Sequence, residues 1–73
     1  MENGNSNLFQ QEHAIIHGRN IWHWLLTTPI GDFHIVQYEE KGMEIVEKIS
    51  PGSNELAEKQ FKKYCNKVLK MFD

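Results

Sequence analysis

A chain of 73 residues with a formal net charge of −2 has room for one domain with one hydrophobic core. Its single cysteine, Cys65, excludes an intramolecular disulfide, and a free thiol together with a polar start without a signal sequence predicts a cytoplasmic protein. No apolar run approaches the roughly 20 residues that a membrane-spanning helix needs, so we expect no membrane contact.

Residues 1–7 are too polar to join a core, which predicts a disordered tail followed by a single domain over residues 8–73. The segment 8–17 fits two structures. As a short helix it would have Asn7 as N-cap and Gly18 as the left-handed residue after its end. These signals at both ends favour the helix.

As a strand, the same segment would place Ala14 and Ile16 on one face, and residues 18–20 would form a hairpin loop. The adjacent β-branched residues Ile15 and Ile16 favour this alternative, because such side chains suit strands better than helices.

Three further runs have the composition of strands, at residues 21–28, 33–40 and 43–50. Pro and Gly in the segment 29–32 and Gly in the segment 40–42 predict the two turns between them. The sequence therefore predicts a three-stranded antiparallel meander.

Turn lengths predict the strand register, with Thr28 opposite Phe33 and Gln37 opposite Ile45. This register collects large apolar side chains on one face of the sheet. They are Trp22, Trp24, Leu26, Phe33, Ile35, Met43, Ile45 and Ile49. We expect a helix to cover this face, so that both tryptophans lie in the core.

The segment 54–72, with Ser53 or Asn54 as its N-cap, has the pattern of an amphipathic helix. The apolar arc contains Ala57, Phe61, Tyr64, Cys65, Val68, Leu69, Met71 and Phe72. The opposite arc carries five lysines, which are Lys59, Lys62, Lys63, Lys67 and Lys70. The predicted fold class is α+β, a three-stranded antiparallel meander packed on this helix, with the short N-terminal helix added.

The second face of the meander would then be open to water. It carries a mixed cluster that we predict to bind a partner: Leu25, His34, Val36, Tyr38 and Val46. An exposed apolar patch of a few hundred Å² usually marks an interface. We therefore expect a small regulator or inhibitor that docks on another protein, or a homodimer through the same face. Chains of this size are common among phage and mobile-element proteins.

The alternative is a nucleic-acid-binding domain that uses the five lysines. The order helix, three strands, helix resembles the double-stranded-RNA-binding domain, which grips RNA through helix 1, the loop after the first strand and lysines that begin the last helix. In this chain the corresponding segments are residues 28–32 and 53–58. They carry Asp32, Glu55 and Glu58 in place of that family's lysines.

Few residues suggest chemistry. His13 and His17 would share a helix face at a ligand spacing, but no third ligand converges on them in the sequence, so we predict no metal site and no cofactor. Cys65 lies on the apolar arc, and no hydroxyl or carboxylate pair has a base at a suitable spacing. The sequence predicts no enzyme and no small-molecule substrate.

Overall fold

A computed structural model describes residues 6–40, 44–51 and 53–71 of the chain, with the side chains of residues 50 and 51 left out. It shows an α+β fold with one antiparallel sheet and one helix. The elements in chain order are β1 (Asn7–Ile16), β2 (Arg19–Thr28), β3 (Gly31–Glu39), β4 (Ile45–Pro51) and α1 (Asn54–Lys70).

The sheet has four strands in the order β1-β2-β3-β4, so every strand pairs with its neighbour in the chain. The antiparallel meander and the C-terminal helix are confirmed, but the sheet has four strands rather than the predicted three, and the predicted N-terminal helix is wrong. Residues 7–16 instead form β1, which pairs with β2 on both sides of an irregularity at Gln11. The β preference of Ile15 and Ile16, together with these ladder hydrogen bonds, outweighs the cap signals.

The turn between β1 and β2 explains why Gly18 resembled a helix end. His17 and Gly18 both have positive φ, at 53° and 75°. A two-residue hairpin turn with positive φ at both positions matches the twist of the strands that it joins. A glycine with positive φ is common to this turn and to a helix C-terminus, so the residue alone could not separate the two structures.

The observed register differs by two residues from the predicted one in both later hairpins. Thr28 lies opposite Gly31, because the turn contains only Pro29 and Ile30. Gln37 lies opposite Glu47 rather than Ile45. A shift of two residues leaves every side chain on its expected face, since the side-chain period of a strand is two. Residues 41–43, which are two residues of the predicted turn and Met43 at the start of the predicted third strand, lie outside the described residues.

The helix covers the opposite face of the sheet from the one predicted. The buried core joins Ile21, Val36 and Tyr38 on the sheet to four residues of the predicted apolar arc, which are Ala57, Phe61, Tyr64 and Val68. The rings of Tyr38 and Tyr64 lie 4.6 Å apart at 57°, a favourable tilted contact. The predicted core positions of Trp22 and Trp24 are wrong, because alternation places both on the face away from α1.

The fourth strand gives a physical reason for this choice of face. On β1, Ala14 pairs with Ile21 and Ile16 follows two positions later, and both side chains pack against the core. Ala14 and Ile16 therefore extend this face with small and β-branched side chains. The rings of Phe61 and Tyr64 pack on this face. The helix begins at its predicted cap, where the Ser53 hydroxyl accepts a hydrogen bond from the Leu56 amide at 3.2 Å.

Candidate interaction surface

The sheet face that α1 leaves uncovered, called here the open face, carries most of the large apolar side chains of β2 and β3. Alternation and register place Thr28, at the end of β2, and fifteen further residues on it. They are Leu8, Gln10, His13, Ile15, Asn20, Trp22, Trp24, Leu26, Phe33, Ile35, Gln37, Glu39, Ile45, Glu47 and Ile49. Glu39 and Glu47 are its only carboxylates, and none of these described residues is a lysine or an arginine.

One end of the open face is apolar. Paired positions bring Leu8 beside Leu26 and Phe33, and the next row brings Trp24 beside Ile35 and Ile49. The two side chains on the edge strands are the most accessible, with Leu8 at 53% and Ile49 at 54% exposure. These two rows therefore form a continuous apolar strip across the sheet, and none of the described residues of the chain covers it.

The other end of the open face combines polar groups with Trp22. The His13 ring stacks on Trp22 with centroids 5.9 Å apart and planes at 14°, and the His13 Nε2 lies 2.8 Å from the Asn20 Oδ1. Glu39 accepts hydrogen bonds from the Asn20 backbone amide at 2.6 Å and from its side chain at 2.9 Å. These bonds lower the pKa of Glu39, so its carboxylate is charged at neutral pH.

A hydrogen-bonded chain fixes Trp24 in place. Its indole Nε1 donates to the Gln37 Oε1 at 2.9 Å, and the Gln37 Nε2 donates to the Glu47 Oε1 at 3.0 Å. The three residues lie on neighbouring strands, so the chain crosses half the sheet. An aromatic side chain held in one orientation loses little conformational entropy when it binds a partner.

The five residues predicted to bind a partner lie on the face that α1 covers. Val36, Tyr38 and His34 are buried, with exposures of 2%, 1% and 6%, and Val46 packs against the core. Leu25 shares this face and is partly buried. Their placement on a solvent-facing patch is wrong, because β1 completes this face as the site for the helix.

Two buried histidines form a polar network beneath α1. The His23 Nε2 lies 2.8 Å from the His34 Nδ1, and the His23 Nδ1 lies 3.1 Å from the Glu12 Oε2. With Glu12 ionised, the His23 Nδ1–H donates to the carboxylate, and the Nε2 accepts from the His34 Nδ1–H. Burial lowers the pKa of His34, the neighbouring His23 lowers it further, and Asp32 partly opposes both effects. The network thus favours the neutral form of His34 and satisfies buried polar atoms.

The groups that could carry chemistry are not assembled into a reactive site. Burial, followed by the charge of Glu12, raises the pKa of the Cys65 thiol, which is therefore protonated and weakly nucleophilic. His13 lies on β1 and His17 in the turn, so the helical spacing that suggested a ligand pair does not exist. Within residues 6–40, 44–51 and 53–71, no group of three or more His, Cys, Asp or Glu is placed to hold a metal ion.

The five predicted lysines of α1 are all exposed, and some of them lie near the sheet. They are Lys59, Lys62, Lys63, Lys67 and Lys70. The ammonium of Lys67 lies 5.6 Å from the centre of the Tyr38 ring. A cleft of about 380 Å³ between β4 and α1 is lined by Lys48, Leu56, Lys59, Gln60 and Lys63. Lys48, which the sequence reading did not connect with the arc, brings a third ammonium to this cleft.

The resemblance to the double-stranded-RNA-binding domain does not hold, since that topology requires an N-terminal helix where this chain has β1. Of the part of the chain that the structure describes, no helix is both long and apolar enough to cross a membrane. No family model matches the chain, and neither the curated proteins nor the solved structures show a significant similarity to it.

Proposed function

We propose that this chain is a small non-enzymatic binding protein, a regulator or inhibitor that docks on a partner through its open face. The observation that carries the proposal is the continuous strip of Trp24, Leu26, Phe33 and Ile35, which neither the helix nor the described loops cover. Monomeric proteins rarely leave a contiguous apolar patch of several hundred Å² in water without a use for it.

The composition of the open face also supports a protein partner. Tryptophan is enriched among the residues that contribute most to binding energy, and such residues cluster near the centre of an interface. Trp22 and Trp24 lie on β2, one of the two central strands, and hydrogen bonds or stacking hold their rings. His13, Gln37 and Glu47 at the other end offer the polar contacts that give an interface its specificity.

Site-specific photo-crosslinking in cells that make the protein tests this function. A benzophenone amino acid replaces Ile35 at the centre of the open face, and a matched control replaces Lys62 on the outer side of α1. We expect a discrete protein adduct from position 35 and none from position 62. Adducts from position 62 alone, or none from either position in a folded protein, would contradict docking through the open face.

A second candidate function is binding of nucleic acid by the lysine side. The cleft supports it, because Lys48, Lys59 and Lys63 approach one another from two different elements. A phosphate binder must lose affinity steeply as salt rises, by about 0.9 log units per contact for each tenfold change in salt on duplex DNA. Fluorescence titration with duplex RNA and DNA at 50 and 200 mM salt measures this, with Lys59→Gln as the test variant and Lys70→Gln, outside the cleft, as its control.

A further inference from the structure

We infer that the occupant of the open face is a second copy of this chain, so that two sheets pack face to face with the helices outside. The inference rests on the proposed function and names the partner. In this dimer the two-fold axis is parallel to the strands. It lies between the two sheets, over the midline between β2 and β3. That symmetry places β2 of one copy over β3 of the other and β1 over β4.

The width of the open face argues for a sheet as its occupant. Four strands spaced about 4.8 Å apart make a face about 19 Å wide, whereas a single helix is about 10–12 Å across. On the other side of this same sheet, α1 packs on β1, β2 and β3 and leaves a cleft beside Lys48 of β4. A second sheet has the matching width, and sheets of this kind pack about 10 Å apart.

The residue pairs that the axis brings together are complementary. At the apolar end, Leu26 faces Phe33 of the second copy and Trp24 faces its Ile35, each contact occurring twice. At the polar end, His13 on β1 faces Glu47 on β4 of the second copy, an imidazole opposite a carboxylate. The open face carries no lysine or arginine among its described residues, so no cation is buried without a partner.

Of the two carboxylates on the open face, Glu47 remains well separated from its symmetry mate in this arrangement. Glu47 lies on an edge strand, three strand spacings from its symmetry-related position, so the two carboxylates are about 17 Å apart. Charges at the surface that are separated by more than about 8–10 Å are largely screened at physiological salt. Repulsion between the two copies of Glu47 therefore does not oppose association. The two copies of Glu39 on the central β3 strands come closer, at about 11 Å between their backbones, and each faces Asn20 of the other copy.

The area is sufficient for a stable interface. A face about 19 Å wide and about 30 Å long, the length of nine-residue β3, has a footprint of about 570 Å² in each copy. Two such faces bury about 1,100 Å² even before the relief of the side chains is counted, which exceeds the roughly 1,000 Å² expected of a specific interface. A chain this short buries a smaller fraction of its surface when it folds than a larger domain does, and it is therefore marginally stable. The dimer would bury more of that surface.

Sedimentation equilibrium of the purified chain is the first test. We expect a mass of twice 8.6 kDa, with tryptophan emission shifting to longer wavelength as dilution separates the copies. Ile35→Glu, which puts a carboxylate into the centre of the interface, should weaken association by at least about 100-fold. Leu56→Glu, at a helix position 57% exposed, is the matched control and should leave association unchanged.

Crosslinking tests the symmetry with variants that change only exposed edge-strand positions. In a Cys65→Ala background, His13→Cys and Glu47→Cys are prepared separately. Each is treated with a bismaleimide that spans about 8 Å. This reagent is too short to join two of these cysteines unless the packing places them opposite each other. The proposed packing predicts crosslinked dimers when the two variants are mixed and none with either alone. Crosslinked dimers with either variant alone, or no crosslinked dimer in the mixture, would overturn it.

A folded monomer at millimolar concentration would overturn the inference, as would a dimer that Leu56→Glu disrupts and Ile35→Glu does not. The monomer result concerns the unmodified chain, so it does not depend on whether Ile35→Glu folds. The comparison of the two variants is made only after circular dichroism has shown that both are folded. The proposed function fails separately. A monomer whose position 35 crosslinks to another protein refutes the second copy and retains docking through the open face.

Discussion

Replacing Val68 with alanine tests how α1 sits on the sheet. The Val68 side chain is 0% exposed and belongs to the core, whereas its neighbour Leu69 is 45% exposed. Val68→Ala removes two carbon atoms and leaves a cavity, at a cost of about 2 kcal/mol. The better helix propensity of alanine returns about 0.5 kcal/mol. The expected net loss in the free energy of unfolding is about 1.5 kcal/mol.

Thermal and urea unfolding followed by far-ultraviolet circular dichroism, at one fixed protein concentration, measure this loss. For a domain of this size, 1.5 kcal/mol corresponds to a decrease in Tm of about 10 °C. Leu69→Ala is the matched control, since it removes more carbon atoms from an exposed position and should change the free energy of unfolding by less than about 0.5 kcal/mol. Equal losses, or a larger loss for Leu69→Ala, would refute the placement of the helix.

Three further predictions concern the cap, the first turn and the buried histidines. Ser53→Ala removes the acceptor for the Leu56 amide and should lower the free energy of unfolding by about 1 kcal/mol in urea titrations. Gly18→Ala introduces a side chain at φ 75° and should cost about 1–2 kcal/mol by the same measurement, although nothing within 4 Å obstructs the added carbon. Because the pKa of His34 in the folded chain lies below its ordinary 6.5, the unfolded chain binds a proton first as pH falls. Stability should therefore be highest above pH 6.5 and decrease as pH falls from 6.5 towards the lowered pKa, and His34→Gln should weaken this dependence in urea titrations at pH 7.5 and 5.5.

The sequence was sufficient for β2, β3 and β4 and for which of their side chains share a face. A period of two is visible in β2 and β3, so Trp22, Trp24, Leu26, Phe33 and Ile35 were correctly placed together on one face. The cap at Ser53 and the buried arc of α1 were also predicted, because both depend on local spacing. Errors of two residues in turn length left these assignments intact.

The sequence was not sufficient to decide which face the helix covers. Periodicity separates two faces of a strand but does not say which one meets another element, and hydrophobic size alone favoured the tryptophan face. The deciding information lay in β1, where Ala14 and Ile16 add to the core that α1 packs against. Since cap-like residues at Asn7 and Gly18 suggested a helix there, the completed face could not be recognised.

The open face was consequently identified only from the structure. His23 and His34 fall on the face that was predicted to be exposed. In the structure the two rings contact each other, and His23 also contacts Glu12. Buried polar side chains are tolerated when they satisfy one another. Such pairing depends on strands that are distant in sequence, so periodicity and composition cannot reveal it.

The central claim is that α1 packs against Val36 and Tyr38 and leaves Trp24 on the other side of the sheet. Nuclear Overhauser contacts from the Tyr64 ring protons measure this directly. The structure predicts strong contacts from Tyr64 to Tyr38, whose ring centre lies 4.6 Å away, and none to Trp24. Contacts from Tyr64 to the Trp24 indole, without contacts to Tyr38, would contradict the account.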